Sequence, residues 1–358
     1  MSSAQPGKNP KARPPRKPGY RRIATEEAWA PKEMLDLYRK LLAKRSFKDP
    51  GFRSLMGFYL GSQSERARMV AARLSWLGDR RIRDMDESGI DMQVLALTAP
   101  GVQIFDRATA VSIARSSNDQ LAEAVRKHPD RFAWLAAVAP QDPAAAAKEL
   151  ERAVQRLGLK GAVINSHTHG EYLDDRKYWE ILEAAEALDV PIYLHPRDLP
   201  RAMIQPFLER GLDGAIYGFG CETGLHMLRI IVSGAFDRFP KLQFIIGHGG
   251  EALPYWMYRI DYMHAATVKS KRYASMKPLK KRPSDYLREN IYITNSGVAW
   301  APAIMFAQLV LGVDRVLYAM DYPYQFNPSE VTTLDAMPIS PREKKMFFQS
   351  NAERVFSL

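Results

Sequence analysis

Eight short apolar runs alternate along this chain with longer segments of helical periodicity, and this alternation limits the possible folds more than any other feature. The runs span residues 22–28, 91–98, 132–140, 161–166, 190–196, 243–250, 291–297 and 315–323. Their nearly continuous Val, Ile, Leu and Ala content is typical of strands buried on both faces, as in parallel sheets. Eight such strands alternating with helices predict an α/β fold of the (β/α)₈ TIM-barrel class.

A doubly wound open sheet is the alternative arrangement of alternating strands and helices. That fold normally carries a glycine-rich phosphate-binding turn after its first strand, whereas the corresponding stretch here, ATEEAWA, contains no glycine. The helical candidates span residues 108–127, 144–157, 178–188, 223–236 and 301–311. Asp142 and Pro143 suit the start of the second of these helices, and Gly158 suits its end. The barrel is therefore favoured.

An unusually long segment, about residues 29–89, separates the first two strands. It predicts a helix over 32–44, a loop over 47–64 that is rich in Phe, Gly and Ser, and a second helix from Glu65. Long insertions at the carboxyl ends of barrel strands usually cover the active site. Since there is no internal repeat and no convincing domain break, residues 21–358 are predicted to form one domain.

Composition excludes several kinds of partner. The net charge of +11 suggests nucleic acid, but seven basic residues lie before the first acidic residue, Glu26, in a proline-rich segment. Residues 1–20 are therefore predicted to be a disordered basic tail, and neither nucleic acid nor membrane is expected as a partner. The single cysteine, Cys221, rules out an intramolecular disulfide and a cysteine zinc cluster. A cytoplasmic setting is expected.

Polar residues close four of the predicted strands, where a barrel has its active site. Glu26 or Glu27 ends the first strand, and the fifth, sixth and eighth end at His195, His248 and Asp321. Any one of them alone would be read as a capping or hydrogen-bonded residue. Because four occupy matching strand ends, two carboxylates and one or two imidazoles converge, and this set predicts a divalent metal site.

The motifs around these residues resemble the metal-dependent decarboxylases of the amidohydrolase superfamily, in the branch of the aminocarboxymuconate-semialdehyde decarboxylases. The resemblance rests on His195-Pro196, on IIGHGGEALPYW (245–256), on YAMDYPY (318–324) and on the NSG turn (295–297). It extends from about Arg22 to the C-terminus. It implies a carbon–carbon lyase acting in aromatic breakdown, with Glu26, His195 and Asp321 as metal ligands.

The sequence departs from the superfamily pattern at two positions. The His-x-His pair usual on the first strand is replaced by Glu26 and Ala28, and the frequent lysine of the fourth strand has no counterpart near Ser166. Both departures favour one divalent metal ion over two. An oxygen-rich ligand set suits Mn²⁺ at least as well as Zn²⁺, the resemblance favours Mn²⁺, and affinity order alone would favour Zn²⁺. No organic cofactor is expected.

The resemblance also implies a reaction and a substrate. Asp321 is expected to protonate the ring carbon of an aromatic hydroxy acid, with His248 as its hydrogen-bonded partner or proton shuttle. The first candidate reaction converts 5-carboxyvanillate to vanillate and CO₂. Two arginines, Arg66 and Arg259, are expected to clamp the carboxylate that the product retains, and Arg259 is expected to come from a neighbouring subunit of a homodimer. The expected pocket wall consists of Tyr59, Thr98, Phe219 and Tyr324.

Three alternatives remain at this stage. One is a decarboxylase of a simpler hydroxybenzoate such as γ-resorcylate or salicylate. Such a monocarboxylate has no second carboxylate for the two arginines to bind. Another is a metal-dependent hydrolase of a lactone or amide, which would need a second metal ion or a free general base. The third, a non-enzymatic binding module, would leave the strand-end acids without purpose. His167 and His169 have His-x-His spacing, but the family pattern requires neither as a ligand.

Overall fold

The computed structural model describes residues 19–358, so residues 1–18 of the predicted tail lie outside the described part of the chain. Tyr20 already belongs to the folded part, because its ring stacks on Phe348 and its hydroxyl donates to Asp335. The strands are β1 (Ile23–Trp29), β2 (Met92–Leu97), β3 (Phe132–Trp134), β4 (Ala136–Ala137), β5 (Ala162–Asn165), β6 (Ile192–His195), β7 (Phe244–Ile246), β8 (Ile291–Thr294) and β9 (Val316–Leu317).

All neighbouring strands pair in parallel, in the orders β1-β2-β3 and β4-β5-β6-β7-β8-β9. The third predicted strand is divided at Leu135, whose N–H still donates to Leu95. The ring closes where the backbone N–H of Thr25 donates to Tyr318 over 3.0 Å and that of Ala28 donates to Tyr322 over 2.7 Å. The (β/α)₈ barrel predicted from the alternating pattern is therefore confirmed, and the doubly wound alternative is excluded.

Helices surround the barrel and fill the insertion. They are α1 (Lys32–Ala43), α2 (Pro50–Gly61), α3 (Glu65–Leu74), α4 (Asp79–Ser88), α5 (Arg107–Lys127), α6 (Pro143–Leu157), α7 (Trp179–Ala187), α8 (Gln205–Leu208), α9 (Gly218–Val232), α10 (Ala235–Arg238), α11 (His248–Glu251), α12 (Leu253–Ser270), α13 (Pro283–Glu289), α14 (Ala301–Leu311), α15 (Glu330–Asp335), α16 (Pro341–Lys345) and α17 (Asn351–Phe356). Short 3₁₀ turns cover Gly101–Ile104, Arg176–Tyr178 and Val313–Arg315, and a π turn covers Met346–Ser350. Among the described residues, no helix is long and apolar enough to cross a membrane.

The insertion is more helical than its composition predicted. The predicted loop over 47–64 was wrong for most of its length, because α2 occupies Pro50–Gly61. The Asp49 side chain caps this helix by accepting from the N–H of Phe52, and Pro50 occupies the first helical position. Phe52 and Met56, one turn apart, are fully buried in the hydrophobic core, where the Phe52 ring meets that of Tyr38 in α1 at 5.3 Å. Capping and packing outweigh the low helix propensity of its glycines.

The barrel helices largely follow the predicted segments. The N-cap at Asp142 and the left-handed stop at Gly158 both occur in α6. The helix predicted over 223–236 instead begins at Gly218, where an added Cβ would lie 2.3 Å from the carbonyl oxygen of Asp213. Only glycine allows this close approach. It brings the first turn of α9 beside the carboxyl end of β6, at the mouth of the barrel.

Candidate active site

A cavity of about 290 Å³ opens at the carboxyl ends of the strands. Three of the predicted strand-end residues, His195, His248 and Asp321, line it directly. The insertion closes one side with residues of α2 and α3, including Tyr59 and Arg66. The loop after β6 and the start of α9 close the opposite side. Residues of the insertion therefore form part of the cavity wall.

Glu26 does not line the cavity itself but lies behind His195 and His248, and it is 3% exposed. Its Oε2 is saturated by hydroxyl donors, with Ser296 Oγ at 2.5 Å, Thr294 Oγ1 at 3.1 Å and Tyr193 in a short contact. Its Oε1 is buried and has no hydrogen-bond donor. Since buried carboxylate oxygens are normally paired, this free oxygen marks a place where a cation fits.

Two histidines face that free oxygen. The Nε2 atoms of His195 and His248 lie 3.3 Å and 3.4 Å from Glu26 Oε1. Nδ1 of His195 donates to the Pro196 carbonyl over 2.7 Å, which leaves its Nε2 as a free acceptor, the form that binds metals. Nδ1 of His248 donates to the Glu251 carboxylate over 2.9 Å. The two imidazoles are therefore fixed by different partners, a carbonyl and an acid.

Asp321 completes the cluster from the end of the last strand. One ligand atom of each of Glu26, His248 and Asp321 lies within 4.8 Å of the others. This group contains His248 and not the predicted ligand His195, which approaches the cluster through its 3.3 Å contact with Glu26. Asp321 has a left-handed backbone, with φ of +64°. Such a conformation is uncommon for a residue other than glycine and occurs often at functional sites. It carries the Asp321 side chain into the cavity.

The charges of the cluster shift its pKa values in opposite directions. Burial raises the pKa of Asp321, and although His248 lowers it, the result is about 7. Burial works against the charged form of His248, but Glu26 and Glu251 outweigh it and raise the pKa of His248 to about 10. Burial likewise opposes the charge of Glu26, yet His248 and His195 lower its pKa to about 2. The site thus combines an ionised acid with two groups that can hold protons near neutral pH.

The residues present fit a small divalent cation. A free carboxylate oxygen, a neutral imidazole nitrogen and a second carboxylate form a mixed oxygen and nitrogen donor set. Gly247 leaves the space that Glu26 needs, because a Cβ there would lie 2.5 Å from Glu26 Oε2 and 2.9 Å from Ser296 Oγ. The strand-one position that usually supplies another histidine is Ala28, which offers no donor. This set suits one ion.

The predicted pocket wall is partly assembled beside the cluster. The rings of Tyr59 and Tyr324 meet edge to face at 5.0 Å, and the Tyr324 hydroxyl shares a 2.6 Å hydrogen bond with Thr98. The Arg66 guanidinium donates to the Tyr324 carbonyl over 3.0 Å and lines the cavity. Phe219 lines the cavity from the opposite side. Thr98 itself does not line the cavity but holds Tyr324.

Arg259 is separate from this group within a single chain. It lies on the exposed face of α12 and does not line the cavity. The same helix exposes large apolar side chains, with Tyr255 74%, Tyr258 84% and Tyr262 64% exposed. A cluster of exposed aromatic residues of this kind is typical of a protein interface.

The remaining histidines of this end of the barrel have structural partners. Nε2 of His167 contacts the Asp198 carbonyl at 3.0 Å, and Nε2 of His169 contacts the Phe105 carbonyl at 3.1 Å. Burial, with Arg197 nearby, lowers the pKa of His167 to about 2, so it is neutral. Neither faces the cluster of Glu26 and Asp321.

The residues that hold the cluster in place were not among those predicted from the sequence. Glu251 fixes His248, while Tyr193, Thr294 and Ser296 fix Glu26. A signal existed for two of them, since Glu251 lies within the HGGE motif and Ser296 within the NSG turn. Tyr193 and Thr294 lie inside apolar strands, where nothing distinguishes them from core residues.

Comparisons with known proteins agree with this geometry. The amidohydrolase family profile matches residues 34–358. A crystal structure of 5-carboxyvanillate decarboxylase from Novosphingobium aromaticivorans, complexed with manganese and 4-hydroxy-3-methoxy-5-nitrobenzoic acid, is 55% identical, with a TM-score of 0.93 over 95% of this chain and 97% of that chain. The 5-carboxyvanillate decarboxylase from Sphingomonas paucimobilis is 39% identical, with a TM-score of 0.90 over 95% of this chain and 100% of that chain. The γ-resorcylate decarboxylase of Polaromonas sp. is 41% identical over 297 residues, covering 81% of this chain and 90% of its own.

Proposed function

The chain belongs to the amidohydrolase family, and from this premise and the geometry of the site we propose that it is a metal-dependent, non-oxidative carboxy-lyase. It removes CO₂ from an aromatic hydroxy acid, with 5-carboxyvanillate as the substrate and vanillate as the product. It uses one divalent metal ion, Mn²⁺ in preference to Zn²⁺, and no organic cofactor. Relatives crystallised with manganese support this choice of ion.

One observation carries the proposal. The buried Oε1 of Glu26 has no hydrogen-bond donor and lies next to His195, His248 and Asp321, the three residues that line the cavity beside it. Glu26, His195 and Asp321 hold the ion, since Nδ1 of His195 is bound to the Pro196 carbonyl and its Nε2 faces the Glu26 carboxylate, while the two acids present oxygen. His248 remains available as a proton carrier, because its Nδ1 is bound to Glu251.

The reaction needs a proton before the carboxylate leaves. Direct loss of CO₂ would leave an unstable aryl carbanion on the ring carbon that bears the carboxylate. If that carbon is protonated first, the dearomatised ring can accept the electron pair of the C–C bond when CO₂ leaves. A bound Mn²⁺ would hold the phenolate and the adjacent carboxylate of the substrate in one orientation and polarise both oxygens. The protein therefore has to place one acidic proton above the ring carbon and keep competing water out.

Asp321 supplies that proton. Burial raises the pKa of Asp321 in the metal-free chain to about 7, so its surroundings favour a carboxyl group that holds a proton, as a general acid requires. The C–H bond forms as the O–H bond of Asp321 breaks, and the C–C bond to the carboxylate then breaks as its electron pair restores the aromatic ring. His248 lies beside Asp321 in the cluster and relays a proton from solvent to it after each turnover.

A second binding site for a carboxylate, formed by arginines, favours a dicarboxylated substrate. Arg66 lines the cavity and presents N–H donors that can bind the retained carboxylate in pairs. Arg259 adds a second guanidinium from the neighbouring subunit of a homodimer, across the exposed aromatic face of α12. Tyr59, Phe219 and Tyr324 pack against the ring. Such a reaction belongs in the breakdown of lignin-derived aromatic acids, in the cytoplasm.

The similarity to γ-resorcylate decarboxylases favours a second candidate, a simpler hydroxybenzoate. The same metal ligands and proton donor would serve this reaction, because protonation of the ring carbon is common to both reactions. The two candidates differ at the far end of the cavity, where a monocarboxylate has no second carboxylate for Arg66 to bind. A lactone or amide hydrolase is less well supported, since Ala28 offers no ligand for a second ion.

The test compares three substrates in the wild type and in one arginine variant. Metal-reconstituted protein is incubated with 5-carboxyvanillate, γ-resorcylate and salicylate, and CO₂ release is followed with the loss of ultraviolet absorbance. We expect the dicarboxylate to react fastest, and Arg66→Ala to reduce kcat/KM for it by about 10- to 100-fold while changing the monocarboxylates little. Preference for a monocarboxylate would contradict the proposed substrate.

A further inference from the structure

The side chains of the two neighbouring glutamates of β1 contact different parts of the protein. Glu26 reaches the metal site, whereas Glu27, fully buried, reaches the backbone on either side of Asp321. Glu27 Oε1 accepts from the N–H of Met320 over 2.9 Å, and Glu27 Oε2 accepts from the N–H of Tyr322 over 3.3 Å. One carboxylate therefore spans the peptide groups that flank Asp321.

This contact explains how Asp321 keeps an unfavourable backbone conformation. Its φ of +64° costs free energy for a residue with a Cβ, and such a conformation persists only where the surroundings enforce it. The carbonyl of Asp321 is held as well, since it accepts from the N–H of Gln325 over 2.9 Å. Fixing the peptides before and after Asp321 fixes the direction of its side chain.

Glu27 is itself held in place. The Gln93 side chain donates to Glu27 Oε2 over 3.3 Å, and its amide oxygen accepts from Arg81 Nε over 2.6 Å. Arg81 is fully buried and also donates to the Ala28 carbonyl over 2.9 Å. Burial raises the pKa of Glu27 well above its ordinary value, and the link through Gln93 to Arg81 fixes the position of its side chain.

We propose that Glu27 is a positioning residue that holds Asp321 at the metal site by accepting hydrogen bonds from the two flanking backbone N–H groups. The inference rests on the proposed function for the role of Asp321 as ligand and acid. Through Glu26 and Glu27, β1 supplies both a ligand and the support for a second ligand from the opposite end of the chain. Outer supports of this kind typically change metal affinity by about 10- to 100-fold.

The experiment compares Glu27→Gln and Glu27→Asp with the wild type and with Glu330→Gln. The glutamine keeps the length but sets an NH₂ group against a backbone donor, and the aspartate keeps the carboxyl group but is too short to reach both N–H groups. Glu330 is the matched control, because it is buried at 4% exposure and its side chain accepts from the Tyr318 hydroxyl, at 3.5 Å, rather than from the backbone on either side of Asp321. Metal-free proteins are titrated with Mn²⁺ while electron paramagnetic resonance measures the free ion, and thermal unfolding is followed in parallel.

Both Glu27 variants are expected to bind Mn²⁺ about 10- to 100-fold more weakly and to lose kcat more than KM. Glu330→Gln is expected to stay within about twofold of the wild type. Folded Glu27 variants that bind Mn²⁺ like the wild type, or an equal loss in Glu330→Gln, would overturn the inference. If Glu27→Gln does not fold, Glu27→Asp decides the matter alone.

A crystal structure of a metal-free Glu27 variant gives a readout that does not depend on the reaction. We expect φ of Asp321 to leave the left-handed region, and a value unchanged near +64° would overturn the inference. A wild-type protein that binds Mn²⁺ but decarboxylates none of the test acids would instead refute the proposed function. The support of Asp321 by Glu27 would still be measured by the titration and the backbone angle.

Discussion

At the scale of single residues, the site depends on different surroundings for its two carboxylates and for its two imidazoles. Glu26 is kept ionised by two imidazoles and three hydroxyl donors, whereas burial raises the pKa of Asp321 to about 7. His195 is tied to a carbonyl and His248 to a carboxylate. These differences assign the tasks of holding a cation and of moving a proton.

Asp321→Asn tests the proton donor. The amide keeps the size and one oxygen of the side chain but has no acidic proton, so turnover should fall by about 100- to 10,000-fold. CO₂ release is measured together with the Mn²⁺ content by elemental analysis, which separates loss of the acid from loss of the ion. Substantial residual turnover in metal-loaded Asp321→Asn would refute the role of Asp321.

Glu222 gives a pH-dependent prediction away from the proposed metal ligands. Burial raises its pKa from 4.5 to about 8, while its side chain accepts from Ser166 Oγ over 2.9 Å. The folded state therefore binds more protons than the unfolded state between these values, and this group makes the free energy of unfolding fall as the pH rises from 4.5 to 8.

Glu222→Gln removes that titration. Relative to the wild type, the variant should gain at least about 1 kcal/mol of stability between pH 5 and pH 8.5. Urea unfolding at the two pH values measures the difference. A difference between variant and wild type that is the same at both pH values would show that Glu222 ionises in the folded protein as it does in the unfolded chain.

At the scale of elements, the insertion shows what sequence patterns miss. The glycines and serines of residues 47–64 indicated a loop, but Asp49 capping and the buried pair of Phe52 and Met56 make it helical. Propensity is a local property, whereas the packing of α2 in the hydrophobic core is a tertiary one. The barrel strands were predictable because parallel strands need long apolar runs.

The N-cap of α3 offers a test of how the insertion positions Arg66. Ser64 Oγ accepts from the N–H of Ala67, and Arg66 is the second residue of the helix. Ser64→Ala should cost about 1 kcal/mol of stability and raise KM by up to about fivefold with little change in kcat, because the first turn frays.

Ser340→Ala is the control for that substitution. Ser340 caps α16 in the same way, by accepting from the N–H of Glu343, but lies outside the cavity. It should lower the melting temperature similarly and leave KM unchanged. Equal KM changes in both variants would show that α3 does not position Arg66.

At the scale of the whole molecule, closing the barrel brings the two ends of the sequence together. Glu26 and Asp321 are far apart in the chain, and they become neighbours because β1 bonds to the segment that follows β9. The strand-end residues could therefore be predicted once the barrel was recognised. The supports Tyr193 and Thr294 could not, because their roles depend on which strand faces them across the barrel.

The predicted sharing of Arg259 between subunits is tested by complementation. Arg259→Ala and Asp321→Asn should each be inactive, and a refolded equal mixture should recover about a quarter of wild-type activity, since half of the dimers then carry one intact site. Size-exclusion chromatography checks that dimers form. No recovery from mixed dimers would mean that Arg259 does not serve the partner's site.

The most direct test of the account is to titrate metal-free protein with Mn²⁺ while measuring bound ion and CO₂ release from 5-carboxyvanillate in the same samples. We expect the rate to rise linearly and to level off at one Mn²⁺ per chain, and Glu26→Gln to abolish both binding and turnover. CO₂ release at the full rate without bound metal, or one bound ion per chain with no CO₂ release, would contradict it.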